Sequence, residues 1–245
     1  MIDDWFSGPF FVRIMTVGLE RWNKPVSMAR KAGKLRVVTG NVNMKERLLN
    51  LCKKYDVEIV KYYKQSNDPA LRSYDLTRGG WCFGMTIDWL RCKRKSIDFW
   101  GSLNSDSGKS RVRFLMARQE MVLLKGTFAD TKPQVQAGMS SAGLVLRTLE
   151  LCAGINDQVC ATALVNSLLR GEGRYRYFSI HDGLGTAHAM GFLRSQTQLV
   201  FMDPNAGEFV FPKESVFGLW LLEYLRLMRY ESKGLLRTYL VQSFG

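Results

Sequence analysis

The chain has 245 residues, 46% of them hydrophobic, and its 35 Lys and Arg against 22 Asp and Glu give a net charge of +13. That length and apolar content suffice for a full core in one globular unit, and no apolar run approaches the ~20 residues of a bilayer span, so no transmembrane helix is expected. Five cysteines without a Cys-x-x-Cys pair, together with only two histidines, argue against structural zinc and suit a reducing compartment.

Residues 1–11 carry two acids and no basic residue ahead of their apolar patch, the wrong charge order for a secretory signal peptide. Residues 21–64 then hold twelve Lys or Arg against three acids. Asn43 followed by Glu46 marks a helix start, with Leu48, Leu49, Leu51, Cys52 and Tyr55 as its apolar face. A second helix is expected over residues 82–92, where Met85, Trp89 and Cys92 share a face and Arg91, Lys93, Arg94 and Lys95 suit its negative end. The polar run Ser-Leu-Asn-Ser-Asp-Ser-Gly-Lys-Ser at residues 102–110 reads as a loop, and helical signal continues over residues 111–125, 138–152 and 157–169. After Gly173 the pattern changes to four short strands, residues 175–180, 187–193, 199–202 and 208–211. Asp182-Gly183, Ser195-Gln196-Thr197 and Pro204-Asn205-Ala206-Gly207 separate them, which describes an antiparallel meander. A helix over residues 213–228 and a last strand over residues 235–242 complete an α+β domain, helices first and strands later.

Three segments carry candidate chemistry. Gly79-Gly80-Trp81-Cys82-Phe83-Gly84-Met85 places Cys82 where a Gly-Gly turn meets a helix start. There the partial positive charge of the helix end stabilises a thiolate, and backbone N–H groups can face a carbonyl oxygen. Taken alone, such a cysteine is as readily a buried structural thiol. His188 sits among the small residues Gly185, Thr186, Ala187, Ala189 and Gly191, which allow close approach to its imidazole. His181, beside Asp182-Gly183, reads instead as a turn residue. Asp203 ends the apolar run Leu199-Val200-Phe201-Met202, where capping the following turn is one role for it. A second role follows from its place on the strand after the one bearing His188: antiparallel pairing brings the two side chains together as base and orienter.

Together these segments resemble the YopT-like (AvrPphB-like) cysteine proteases of the papain-like clan, many of them effectors that bacteria inject into host cells. The resemblance rests on Gly80-Trp81-Cys82-Phe83-Gly84-Met85 with Trp89-Leu90, on Ala187-His188-Ala189, and on Phe201-Met202-Asp203-Pro204-Asn205-Ala206-Gly207-Glu208-Phe209, and it spans about residues 79–212. It implies a papain-like α+β fold with the helical part packed on a C-terminal antiparallel sheet. It also implies cleavage of a host protein through a Cys82-His188-Asp203 triad and a thioester acyl-enzyme, with no metal or organic cofactor. Delivery would be by a dedicated secretion system into the host cytosol. Some relatives cut the lipidated tails of small GTPases and others cut host kinases, so the substrate does not carry over. On this reading residues 71–245 are the catalytic domain and residues 1–70 a basic region for targeting or substrate binding, within one globular unit. The second oxyanion donor is sought upstream of the cysteine among Gln65, Asn67 and Thr77.

The same machinery serves a deamidase, transglutaminase or acyltransferase when the acceptor or acyl donor differs. A separate reading is a non-catalytic basic module, suggested by Lys53-Lys54, Lys61-Tyr62-Tyr63-Lys64 and Arg174-Tyr175-Arg176-Tyr177. No nucleic-acid signature accompanies these aromatics, so the expected partner is a protein substrate, acidic or membrane-associated, with an anionic membrane surface as the alternative.

Overall fold

The computed structural model describes residues 12–14, 43–72, 80–123, 131–153 and 157–245. Most of the basic stretch before residue 43, and Thr77, lie outside them. An eight-stranded sheet runs through the molecule: β1 (Val12–Ile14), β2 (Glu58–Tyr62), β3 (Leu146–Ala153), β4 (Tyr175–His181), β5 (Ala187–Arg194), β6 (Leu199–Asp203), β7 (Gly207–Phe211) and β8 (Thr238–Phe244), in the order β1-β3-β8-β4-β5-β6-β7-β2. β1 lies parallel to β3, and the other seven strands pair antiparallel.

Alternation along these strands sends successive side chains to opposite faces, and each face builds its own core. Phe178, Ile180, Met190, Phe192, Phe201, Phe209 and Phe211 pack against α1 (Met44–Lys54), α7 (Asp157–Arg170) and α8 (Glu214–Leu227). Tyr175, Tyr177, Ala189, Leu193, Val200 and Met202 pack against a helical layer of α3 (Cys82–Arg94), α4 (Phe99–Asn104), α5 (Asp106–Leu123) and α6 (Thr131–Ser140). Trp220 and Tyr224 of α8 stack at 4.5 Å and lie against Phe201 and Phe209. Each such fully buried aromatic contributes about 1.5–3 kcal/mol or more, so this cluster, rather than the exposed Lys54–Glu223 ion pair between α1 and α8, dominates the docking of α8.

The described residues 43–72 belong to this architecture. Asn43 caps α1 by accepting from the Lys45 N–H at 3.2 Å, and Leu48, Leu51 and Cys52 of that helix are buried. β2, which the sequence did not announce, extends the sheet along β7. A short 3-10 turn, Gln65–Asn67, and α2 (Pro69–Arg72) follow it. Lys53, Lys54, Lys61 and Lys64 are all exposed, and Lys54 pairs with Glu223.

Two expectations are corrected. Residues 138–152 are not a helix: α6 ends at Ser140, Gly143 turns the chain with φ +74°, and β3 pairs along β8 from Leu146↔Phe244 to Ala153↔Thr238. The apolar residues there fit either period, and pairing with a distant strand decides between them. Residues 102–110 are not a loop either. Asp98 caps α4 through the N–H groups of Trp100 and Gly101, and Ser105 caps α5 by accepting from the Gly108 N–H at 3.1 Å. Of the residues that suggested a turn, Ser105 is a helix cap, and Ser102, Asp106, Ser107 and Ser110 lie within the two helices that meet at it.

Candidate active site

Cys82 opens α3, whose residues from Cys82 to Leu90 are all buried. A helix so enclosed cannot shift easily, and its first turn, where the Gly84 N–H donates to Met116 Sδ at 3.1 Å, presents a positive dipole end at the sulfur. His188 lies near the start of β5 and Asp203 at the end of β6. The ladder between these strands runs from Arg194↔Leu199 to Gly191↔Met202 and stops there. Both residues therefore sit at the open end of the hairpin, where their side chains meet in place of the backbone: His188 Nε2 donates to Asp203 Oδ1 at 2.8 Å.

Asp203 is 0% exposed and saturated. Its Oδ1 also accepts from the Asn205 N–H at 2.7 Å, and its Oδ2 from the hydroxyls of Tyr224 at 2.6 Å and Tyr230 at 2.8 Å. Burial opposes ionisation of this carboxyl, yet His188 and these donors hold its pKa below the ordinary value. Burial likewise disfavours a charged His188, but Asp203 and the Cys82 sulfur raise its pKa. Cys82 shows the complementary change: burial would raise its pKa, and the hydrogen bond to His188 with the Ala189 backbone N–H brings it down. Since Nε2 is taken by Asp203, Nδ1 is the nitrogen that serves the sulfur. Tyr230 packs its ring 5.1 Å from the imidazole and shields the pair from water.

A second path joins the same groups. Gln65 accepts from the Trp81 N–H at 2.7 Å and donates through Nε2 to Asn205 Oδ1 at 2.8 Å; Asn205 donates to the Tyr230 hydroxyl at 3.1 Å. Hydrogen bonds thus run from the backbone beside Cys82, through Gln65, Asn205 and Tyr230, to Asp203, His188 and back to the thiol. Of the upstream polar residues, Gln65 is buried beside Trp81, and Asn67 is exposed on the same turn. Tyr224 and Tyr230 had no signal in the sequence, because only the packing of α8 brings them to Asp203. Asn205 had one, as the polar residue of the turn after Asp203.

A cavity of about 250 Å³ opens beside Cys82 between α5 and the β4–β5 hairpin, lined by Gln119, Glu120, Tyr177, Ser179, His181 and Ala189 among others. His181 is therefore more than a solvated turn residue: it hydrogen-bonds Ser179 Oγ at 2.8 Å, and burial lowers its pKa to about 4. The unfolded chain, with an ordinary pKa near 6.5, takes up this proton first as pH falls. The stabilisation is complete above pH 6.5 and is lost as pH drops toward 4. His181→Gln should therefore remove about 2 kcal/mol of the stability difference between pH 7 and pH 5 while leaving Cys82 reactivity in place. Urea unfolding of both proteins at the two pH values measures the first part, and a loss of Cys82 reactivity in the folded variant would contradict the second.

No cluster of three or more His, Cys, Asp or Glu suited to a metal ion occurs among the described residues, and none of the described helices is long and apolar enough to cross a membrane. Among curated protein sequences, none matches significantly. The structure resembles the crystal structure of the Pseudomonas avirulence protein AvrPphB, with a TM-score of 0.55 at 18% identity over 70% of this chain and 95% of that one. Weaker likenesses extend to PatoxP, a cysteine protease-like domain of the Photorhabdus asymbiotica toxin PaTox (TM-score 0.40, 13% identity, 82% of this chain and 59% of that one). A third is the YopT domain of the Pasteurella multocida PfhB2 toxin (TM-score 0.31, 17% identity, 75% and 90%). The first of these supports a papain-like cysteine protease fold. Residues 50–238 match the peptidase C58 family, described as Yersinia/Haemophilus virulence surface antigen, so the match reaches back over β2 and Gln65 as well as the three motif segments. The chain belongs to this YopT-like family of cysteine protease-like virulence proteins.

Proposed function

We propose that the protein is a cysteine endopeptidase that acts as a virulence effector, cleaving a host protein through an acyl-enzyme on Cys82. The observation that carries this reading is the buried relay in which Asp203 Oδ1 accepts from His188 Nε2 at 2.8 Å and the other imidazole nitrogen is left to the Cys82 sulfur. The thiolate attacks the carbonyl carbon of the scissile peptide, and His188 gives its Nδ1 proton to the departing amine as the C–N bond breaks. Water, deprotonated by the now neutral His188, then releases the acid and regenerates the thiolate. Asp203 keeps the imidazole in the tautomer and orientation both steps require.

Negative charge that develops on the carbonyl oxygen is met by the Cys82 backbone N–H and by the Nε2 proton of Gln65 that is not given to Asn205. Loss of one such donor costs about 10²–10³ in kcat. Gln65→Ala should fall in that range with Cys82 alkylation preserved, and an unchanged turnover would remove Gln65 from this role. The cavity beside Cys82 receives a substrate side chain, and the exposed Lys53, Lys61 and Lys64 favour an acidic or membrane-bound target.

Profiling new protein termini in a host proteome, with wild type against Cys82→Ala, tests the reading and separates it from its alternatives. Endoproteolysis yields new N-termini that depend on Cys82. Deamidation or acyl transfer leaves termini unchanged and appears as a mass change on intact side chains.

A further inference from the structure

The hairpin that carries Asp203 holds a second buried carboxylate for which the hydrolytic steps have no use. Glu208 is 1% exposed. Its Oε2 accepts from two indoles, Trp89 Nε1 at 2.9 Å and Trp100 Nε1 at 2.9 Å, and its Oε1 accepts from the Lys93 ammonium. Trp89 and Lys93 belong to α3, the helix that begins at Cys82, and Trp100 belongs to α4.

Glu208 faces Met202 across the β6–β7 ladder, and the next pair along is Asp203↔Gly207. Strand alternation turns the two carboxylates to opposite sides of the sheet. Asp203 grips His188, Tyr224 and Tyr230 on one side, and Glu208 grips α3 and α4 on the other. The contact below is equally tight: a Cβ at Gly191 of β5 would stand 2.7 Å from the Trp89 ring, so the indole lies flush on the strand three residues beyond His188.

We infer that Glu208 is a positioning residue for the Cys82 chemistry, seating α3 against the sheet so that the sulfur stands at the right distance from His188 and the Ala189 N–H. The inference rests on the catalytic reading of Cys82. A buried charge is a poor device for stability alone, since a well-packed apolar residue of similar size often serves as well or better. Three directional, charge-assisted bonds give what an apolar contact does not, a fixed register between helix and strand. Trp89 lies seven residues, about two helical turns, after Cys82, and a buried helix transmits a shift at one end to the other as a rigid body. The thiolate is sensitive to such a shift, because the hydrogen bonds that lower its pKa weaken steeply with distance and angle.

The test is the pH profile of Cys82 alkylation by iodoacetamide, which reads the thiolate directly and needs no knowledge of the substrate. Glu208→Gln keeps the size and one acceptor oxygen but removes the charge. Its half-maximal alkylation should move up by about one pH unit, a tenfold loss of thiolate below the pKa. Lys93→Gln removes the cation from Oε1 and from over the Trp89 ring, 5.5 Å from its centroid, at a partly exposed side chain and should move the midpoint the same way by less; it decides the matter where Glu208→Gln does not fold. Folded variants with the wild-type profile and only a lower melting temperature would overturn the inference, leaving Glu208 a stability residue. A wild type whose Cys82 reacts at pH 6 no faster than Cys52, Cys92, Cys152 or Cys160 would instead sink the catalytic reading, whatever the Glu208 variants do.

Discussion

Cys82→Ala is expected to abolish acyl-enzyme formation, with turnover falling on the order of 10⁶-fold, as when a nucleophile is removed from a comparable hydrolase. The expectation is specific to this cysteine. Burial raises the thiol pKa of Cys52 to about 11 and also raises those of Cys92 and Cys152, so near neutral pH these three are protonated and unreactive. Cys82 is just as enclosed, at 8% exposure, but the hydrogen bonds from His188 and from the Ala189 backbone outweigh that burial and lower its pKa. Near neutral pH iodoacetamide should therefore label Cys82 ahead of the other four, and His188→Ala should erase that preference. Full turnover by Cys82→Ala would refute the assignment, whatever the alkylation pattern.

Asp203→Asn should produce the second-largest loss, on the order of 10⁴ in kcat when the wrong histidine tautomer is favoured, with substrate binding nearly unchanged. Four hydrogen bonds converge on Asp203, and an amide meets them only in part. Its nitrogen must face either the Nε2–H of His188 or the two tyrosine hydroxyls. With the nitrogen toward His188 the imidazole is forced into the wrong tautomer, while the oxygen still accepts from both hydroxyls and only the Asn205 N–H loses its acceptor, so the fold should survive with a lower melting temperature. A pH signature should accompany the loss. Because the folded-state pKa of Asp203 is depressed, its ionised form adds stability that is present above the unfolded carboxyl value of about 3.9 and is lost as pH falls through the folded value. Asp203→Asn should lack that acid-side component. If the variant melts early but its folded fraction turns over at the wild-type rate, Asp203 is a cap for the turn that follows it and nothing more.

Features whose causes are local can be read along the chain. Asn43 and Glu46 mark the start of α1 within a residue, because capping is chemistry between near neighbours. The strands from Tyr175 to Phe211 were legible because period-two apolar runs alternate with turns of strong chemistry, and that meander alone aligned His188 with Asp203 once antiparallel pairing was granted. Cys82 at a Gly-Gly to helix junction was legible for the same reason. Where local signals are ambiguous, contacts between distant segments settle the outcome. Residues 146–153 became β3 because β8, almost a hundred residues later, was there to pair with, and β2 formed because β7 had a free edge. Asp98 and Ser105 suit turns and caps equally, and helix packing selected caps. The same limit applies to the site. Cys82, His188 and Asp203 stand in motifs, but what holds them comes from elsewhere: Gln65 from the turn after β2, Tyr224 and Tyr230 from α8 and the turn after it, Glu208 from the opposite side of the sheet. A buried charge must be met by whichever donors folding delivers to it, and no spacing along the chain records which ones those are.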